Sequence, residues 1–246
     1  KVPQKFRTKE EDFKKYYEPK VVSIGPYHSQ NPHLQPMKKQ MDELKKRMAG
    51  ILCRIMCGEK PNVKSYLEFE KSIKESITRK QYDDEATRGI NDDDFVQMMF
   101  LDGCFIMVFL YYFTIYGVDE LGMTKDIILK VQHDIFLLEN QLPFEVLDKL
   151  CWDEQFKTFL LPIILDRYFR YCTIGYNRRF PKQIGYKDIE DAQPIHLLDL
   201  LRITWLGKVK GKGKGKGKGK RKFSEIVRHI RMSRQLFMKG RVVRNI

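Results

Sequence analysis

DIFLLENQLPFEVLDKL, residues 134–150, decides how this chain folds. Ile135, Phe136, Leu137 and Leu138 continue an apolar helical run, the polar trio Glu139-Asn140-Gln141 ends it, and Pro143 sits well in the first turn of a new helix. The stretch reads as a joint between two helices. Asn140 and Gln141 suit such a joint, because amide side chains can satisfy the exposed carbonyls of one helix end and the free N–H groups of the next.

Working upstream, Thr124 is the expected cap of a helix carrying Ile127, Ile128, Val131 and Ile135 toward that corner. Before it, Asp92, Asp93 and Asp94 suit a helix N-terminus, where carboxylates favour the dipole and accept orphan amide hydrogens. The helix that follows, over about 94–116, is apolar nearly all round and is therefore expected to be central. It contains Asp102, Gly103, Cys104 and Phe105, and the Asp102 carboxylate is expected to anchor a neighbouring loop. A helix over about 63–82 should turn Leu67, Ile73 and Ile77 inward. Met37, Met41, Leu44, Met48, Ile51, Leu52 and Ile55 recur at three and four residues and predict an amphipathic helix from Met37 to near Gly58. Lys38, Lys39, Lys45, Lys46 and Arg47 fall between them as a solvated face. Residues 1–36 are extended and turn-rich, broken by five prolines. Val21, Val22, Ser23 and Ile24 form either a short strand or a packed extended segment there.

Downstream, 153–172 is predicted as a helix kinked at Pro162, and Pro194 opens one containing Leu197, Leu198, Leu200 and Leu201. The domain reading is a helical body over 1–207, a linker over 208–222 and a basic amphipathic helix over 223–246. The fold class is mainly α: a single helical domain with an extended N-terminal segment and a disordered basic linker before a C-terminal helix.

Charge is segregated. Residues 208–246 hold fifteen of the 46 Lys and Arg against one acid, Glu225, while the remaining 31 bases and 31 acids balance in the body. The net +14 therefore belongs to the tail. Lys208, Lys210, Lys212, Lys214, Lys216, Lys218, Lys220, Arg221 and Lys222 alternate mostly with Gly, a low-complexity tract expected to be disordered. It reads first as a linker of roughly 20 Å span, second as an anchor for anionic membrane, each Lys contributing about 1 kcal/mol there. Nucleic acid comes third, and without interleaved aromatics only nonspecific phosphate contact is offered.

Catalytic chemistry finds little support. The five cysteines (Cys53, Cys57, Cys104, Cys151, Cys172) are odd in number and lie in apolar surroundings, which indicates buried thiols in a reducing compartment. The absence of an Asn-X-Ser/Thr sequon fits that compartment. His28, His33, Cys53 and Cys57 have zinc-ligand chemistry without the tight pairing of structural sites, and no metal is assigned. Cys104 with His133, oriented by Asp134 or Asn140, would be a nucleophile and its base, but a thiol on an all-apolar helix is protonated and inert. No catalytic residue and no cofactor are assigned. The one membrane-like run, 103–118, is shorter than the roughly 20 residues a spanning helix needs and reads as buried core. With no signal-peptide pattern and no transmembrane anchor in the chain, the expected location is intracellular, with membrane association through the tail.

Four ordered blocks carry a family resemblance: VSIGPYH at 22–28, FVQMMFLDGCFI at 95–106, the stretch at 134–150 and HLLDLLR at 196–202. Together they resemble the plant family called domain of unknown function 247, over roughly 2–206 and not into the Lys-Gly tract. Its motif positions here are Ser23, Gly25, Pro26, Tyr27, His28, Asp102, Gly103, Cys104, Phe105, Glu139, Asn140, Gln141 and Pro143. Arg79 and Tyr82 match as well, whereas Gln81 stands where many relatives have Cys. Many members of that family carry a hydrophobic C-terminal anchor, and some grass members are determinants of self-incompatibility. The resemblance implies a recognition or signalling role with a protein partner, without turnover of a small molecule. The other reading is an anionic-surface binder acting through the basic tail.

Overall fold

The computed structural model describes residues 13–14, 17–57, 67, 71–74, 81–151, 153–172 and 183–206. The fold is mainly α, as the periodicity predicts. The Lys-Gly tract, the predicted C-terminal helix, Arg79 and Ile77 lie outside the described residues.

Helix α1, Gln35–Cys57, buries Met41, Leu44, Met48 and Leu52, the stripe that three-and-four spacing marks. It packs along α2, Asp92–Tyr111, the central helix. Asn91 caps α2, its side-chain oxygen accepting the Asp94 N–H at 2.8 Å. From Cys104 to Leu110 every residue of α2 is buried. The 25-residue stretch Asp92–Tyr116 is apolar and long enough to cross a membrane by length and composition. Here it is the core helix, buried along its middle by the protein's own side chains and exposed at both ends. Gly103 sets how closely its neighbour approaches, since a methyl group there would collide with Leu150 and meet Val146 Cγ1 at 3.1 Å. Those two residues belong to α4, Phe144–Leu150.

The joint at 134–150 is tighter than the apolar run suggests. Helix α3, Lys125–Asp134, is capped by Thr124 and ends at Asp134; residues 135–142 are turns, not continued helix. The reason is the amide side chains, which capture the carbonyls that further helix would have used. Pro143 precedes α4 at its N-cap position.

Two helices carry one wide π-helical turn each. Tyr112–Tyr116 follows α2 directly, with Thr114 Oγ1 bonded back to the Leu110 carbonyl at 2.8 Å. Phe156–Leu160 precedes α5, Leu161–Cys172. The kink expected at Pro162 takes this form, because the ring has no N–H and crowds the carbonyl one turn back. Helices α6, Tyr186–Ala192, and α7, Leu197–Leu206, close the body. The sequence pattern does not mark α6. Leu67, predicted inward, is 57% exposed, while Ile73 is fully buried.

Candidate functional site

Residues 20–24 run extended through the body with no partner strand among the described residues, and a buried backbone must be paired. Asp134, at the C-terminus of α3, supplies most of that pairing. Its Oδ1 accepts the Lys20 N–H at 2.8 Å, and its Oδ2 accepts those of Val21 and Val22 at 2.8 and 3.0 Å. Asn140 continues the row like a fragment of strand: Oδ1 accepts the Ile24 N–H at 2.7 Å, and Nδ2 donates to the carbonyls of Val22 and Asp134, both at 3.0 Å. Val22 and Ile24 are thereby held fully buried.

Asp102 on α2 takes the next N–H, that of Gly25, at 2.8 Å. Gly25 has φ +72°, and a side chain there would crowd the Gln141 carbonyl and the Tyr82 hydroxyl. Asp102 also meets Lys45 Nζ at 2.5 Å, and Lys45 donates to the Ser23 carbonyl at 2.8 Å. Lys45 is therefore not part of a solvated face. It is buried at the α1–α2 contact, where a carboxylate and a carbonyl replace its water. Burial pushes the Asp102 carboxyl up, against the opposing pull of Lys45 and the Gly25 N–H.

Gln141 ties the corner to α7, the last of the described helices. Its Nε2 donates to the carbonyls of Ile135 at 2.7 Å and Leu137 at 2.9 Å, and its Oε1 accepts the Leu198 N–H at 3.1 Å. Leu198 is in the first turn of α7. There the expected opener, Pro194, is displaced by His196, whose Nδ1 accepts the Asp199 N–H at 3.0 Å. The α7 entry is pinned once more by the Phe144 N–H, which donates to the Ile195 carbonyl at 2.8 Å beside Pro143. Burial lowers the pKa of His196 from 6.5.

The remaining motif residues gather around these joints. Tyr27 donates to Asp83 at 2.8 Å, with its ring edge on Tyr82, which in turn donates to the Gln141 carbonyl at 3.1 Å. Pro26 accepts the Ser29 hydroxyl at 2.8 Å, and Ser23 Oγ donates to the Gly25 carbonyl at 3.3 Å. His28 and Glu139 are buried, and Phe105 stacks on Phe109. Three residues of this network, Asp134, Lys45 and Tyr82, are missing from the motif residues. Tyr82 and Asp134 had a signal in the family match, Asp134 as the first residue of the 134–150 block; Lys45 had none, because its partners are distant in sequence.

Cys104 is fully buried, and burial raises its thiol pKa well above 9.0. Burial likewise raises Cys151 and Cys172. His133 meets Asp134 at 3.1 Å. Of the zinc candidates, His33 is exposed and His28 buried, and no group of three His, Cys, Asp or Glu gathers among the described residues. An open groove of about 340 Å³ lies over the Lys45–Asp102 pair. Lys38, Asp42, Lys46 and Asp94 line its mouth, with both signs of charge represented.

These features define an all-helical domain whose sequence blocks are its own internal joints. The profile of the family described as DUF247, plant protein of unknown function, matches residues 1–240. The chain belongs to this family. The match runs through the Lys-Gly tract, further than the four blocks carry the resemblance. A UPF0481 protein of Arabidopsis thaliana is 33% identical over 201 residues, covering 78% of this chain and 38% of that relative. The chain thus spans well under half the length of that relative. No solved structure matches it.

Proposed function

We propose that this protein is a non-enzymatic recognition module of plant cells, binding a protein partner inside the cell at a membrane face, in a role akin to that of the self-incompatibility determinants it resembles. The observation that carries this reading is the use of the polar motif residues. Asp102, Asn140 and Gln141 are each buried and consumed by backbone groups of another segment. A catalytic group must present a reactive atom to a substrate. Here the acids and amides present theirs to the chain itself, and Cys104 is held neutral and out of solvent. What such a body offers is a rigid surface. The mixed-charge groove between the 21–29 segment, α1 and α2 is the face assigned to the partner.

The test is affinity capture from plant extract with the whole chain and with a Lys38→Glu/Lys46→Glu variant, both positions being exposed. A defined partner retained by the wild type and lost by the variant supports the reading. Capture of no reproducible partner would reject it. Rapid alkylation of Cys104 in the folded chain would return attention to thiol chemistry.

The segregated +14 favours a second reading, an anionic-surface binder working through residues 208–246. It requires that co-sedimentation with anionic vesicles be lost in a 1–207 truncation and fall steeply with salt. Binding that survives either change rejects it.

A further inference from the structure

The groove over the Lys45–Asp102 pair is lined by Lys38, Lys45 and Lys46 against Asp42, Asp94 and Asp102, so net charge alone selects nothing there. Hydrogen-bond donors do. In extended backbone, successive residues turn their N–H and C=O groups to opposite sides. Val22 and Ile24 turn theirs to the 134–140 corner: the Val22 N–H goes to Asp134, the Ile24 N–H to Asn140, and Asn140 Nδ2 donates to the Val22 carbonyl. Ser23 between them faces the other way, and its carbonyl accepts from Lys45 Nζ at 2.8 Å. The Ser23 N–H lies on that same side, where no group among the described residues accepts it. Lys45 also has a donor to spare. An ammonium carries three N–H donors, and Asp102 and the Ser23 carbonyl take one each. Ser23 and Lys45 both line the groove, and the Lys45 side chain keeps 10% of its surface exposed. Acceptors nearby are in use: Asp102 holds the Gly25 N–H and Lys45, and Asp94 takes the Asn91 amide.

We infer that the groove seats a carboxylate of the protein partner, an Asp or Glu side chain, on the Ser23 N–H and the spare N–H of Lys45. This rests on the reading of the groove as the partner's face. Two convergent donors, one of them cationic, match the oxygens of a carboxylate, and such charge-assisted bonds are roughly twice as strong as neutral ones. Exposed Lys38 and Lys46 make no ion pair among the described residues and draw the approaching acid in. Asp42 and Asp94 stand at the same mouth and set the limit. A polyanion, whether a phosphate cluster or an anionic lipid surface, would lie against both, whereas a single carboxylate passes between them to the donors. Met41, Met98 and Leu101 on the walls cover the apolar neighbours of that acid. A volume of about 340 Å³ is at the small end of ligand sites and suits one or two side chains of a partner segment.

The experiment follows the Ser23 amide by nitrogen-15 NMR of the whole chain while capped peptides are added, acetyl-Ala-Leu-Glu-Leu-amide and its Gln counterpart. The seat predicts a saturable shift with the Glu peptide, at an affinity about tenfold or more above that of the Gln peptide. Ser23→Pro removes the free N–H without deleting a hydrogen bond of the fold, and Val22 before it is already extended, as proline requires. Calorimetry checks that this variant unfolds like the wild type. Its affinity for the Glu peptide, read at the Gly25 amide, should fall by about tenfold. Lys46→Gln, an exposed change, is the second variant and should weaken the Glu peptide severalfold while leaving the Gln peptide unaffected. Equal shifts from both peptides, or none at millimolar peptide, overturn the inference. An equal shift from inorganic phosphate or from phosphatidylserine vesicles also overturns it, since the groove would then be a general anion site. The recognition reading fails separately. A partner captured equally by wild type and Ser23→Pro would overturn the seat and leave recognition standing; a Glu-selective shift with no captured partner would keep the seat and reject recognition.

Discussion

Lys45 and Asp102 show how much a single buried pair organises. The carboxylate holds the Gly25 N–H and the ammonium holds the Ser23 carbonyl, so one ion pair joins α1, α2 and the extended segment. Breaking such a pair from one side leaves an uncompensated buried charge, so Lys45→Met is expected to cost about 3–5 kcal/mol in urea unfolding at neutral pH. The deficit should shrink on acidification. Asp102 already has a raised pKa in the fold, and losing Lys45 raises it further. An acid with a folded pKa above its unfolded one contributes stability at low pH and loses it as pH rises through the folded value. Asp102→Asn in the Lys45→Met background should recover part of the loss, since an amide oxygen can still accept from Gly25. An unchanged unfolding midpoint in Lys45→Met would show that the pair is dispensable. The anchoring role of Asp102 and the bridging role of Gln141 are legible in the sequence, because polar residues inside apolar runs must find partners. Lys45 is not legible. Its spacing places it at the margin of the α1 stripe, and its partner is 57 positions away.

Helix ends are where side-chain chemistry overrode periodicity. The run through Leu138 is apolar enough for helix, yet α3 stops at Asp134 because Asn140 and Gln141 capture the carbonyls of residues 134, 135 and 137. At α7 the cap is an imidazole, which can accept from Asp199 only while Nδ1 is unprotonated. Burial depresses the His196 pKa below 6.5, so the unfolded chain binds the proton more readily than the native one. Stability contributed by His196 is then complete above about pH 6.5 and declines as pH falls toward the folded value. His196→Asn keeps an acceptor at the cap and removes the titration. In thermal unfolding between pH 7 and 5, the variant should lack this part of the wild-type decline; parallel curves would assign the acid sensitivity elsewhere.

At the scale of the whole molecule, the extended segment and the helices form one cooperative unit, since residues 20–25 are bonded by α1, α2, α3 and the 135–142 corner together. The amides of Val21, Val22 and Ile24 should therefore exchange with solvent as slowly as those of Phe105 and Val108, through global unfolding alone. Exchange faster by orders of magnitude would mean that the segment peels away independently. Asn91 as the actual cap of α2 was not legible in the sequence, whereas the helical class, the central apolar helix, its acidic start at 92–94, the cap at Thr124 and the joint at 140–141 were. Those follow from local periodicity and from the demand of helix ends for hydrogen-bond partners. Tertiary contacts alone bury Lys45, put Asp134 in the place of a neighbouring strand for residues 20–22, and leave Tyr116 and Phe159 exposed on their wide turns. Each depends on groups brought together from distant parts of the chain, and spacing along one element carries no record of what another element will place against it.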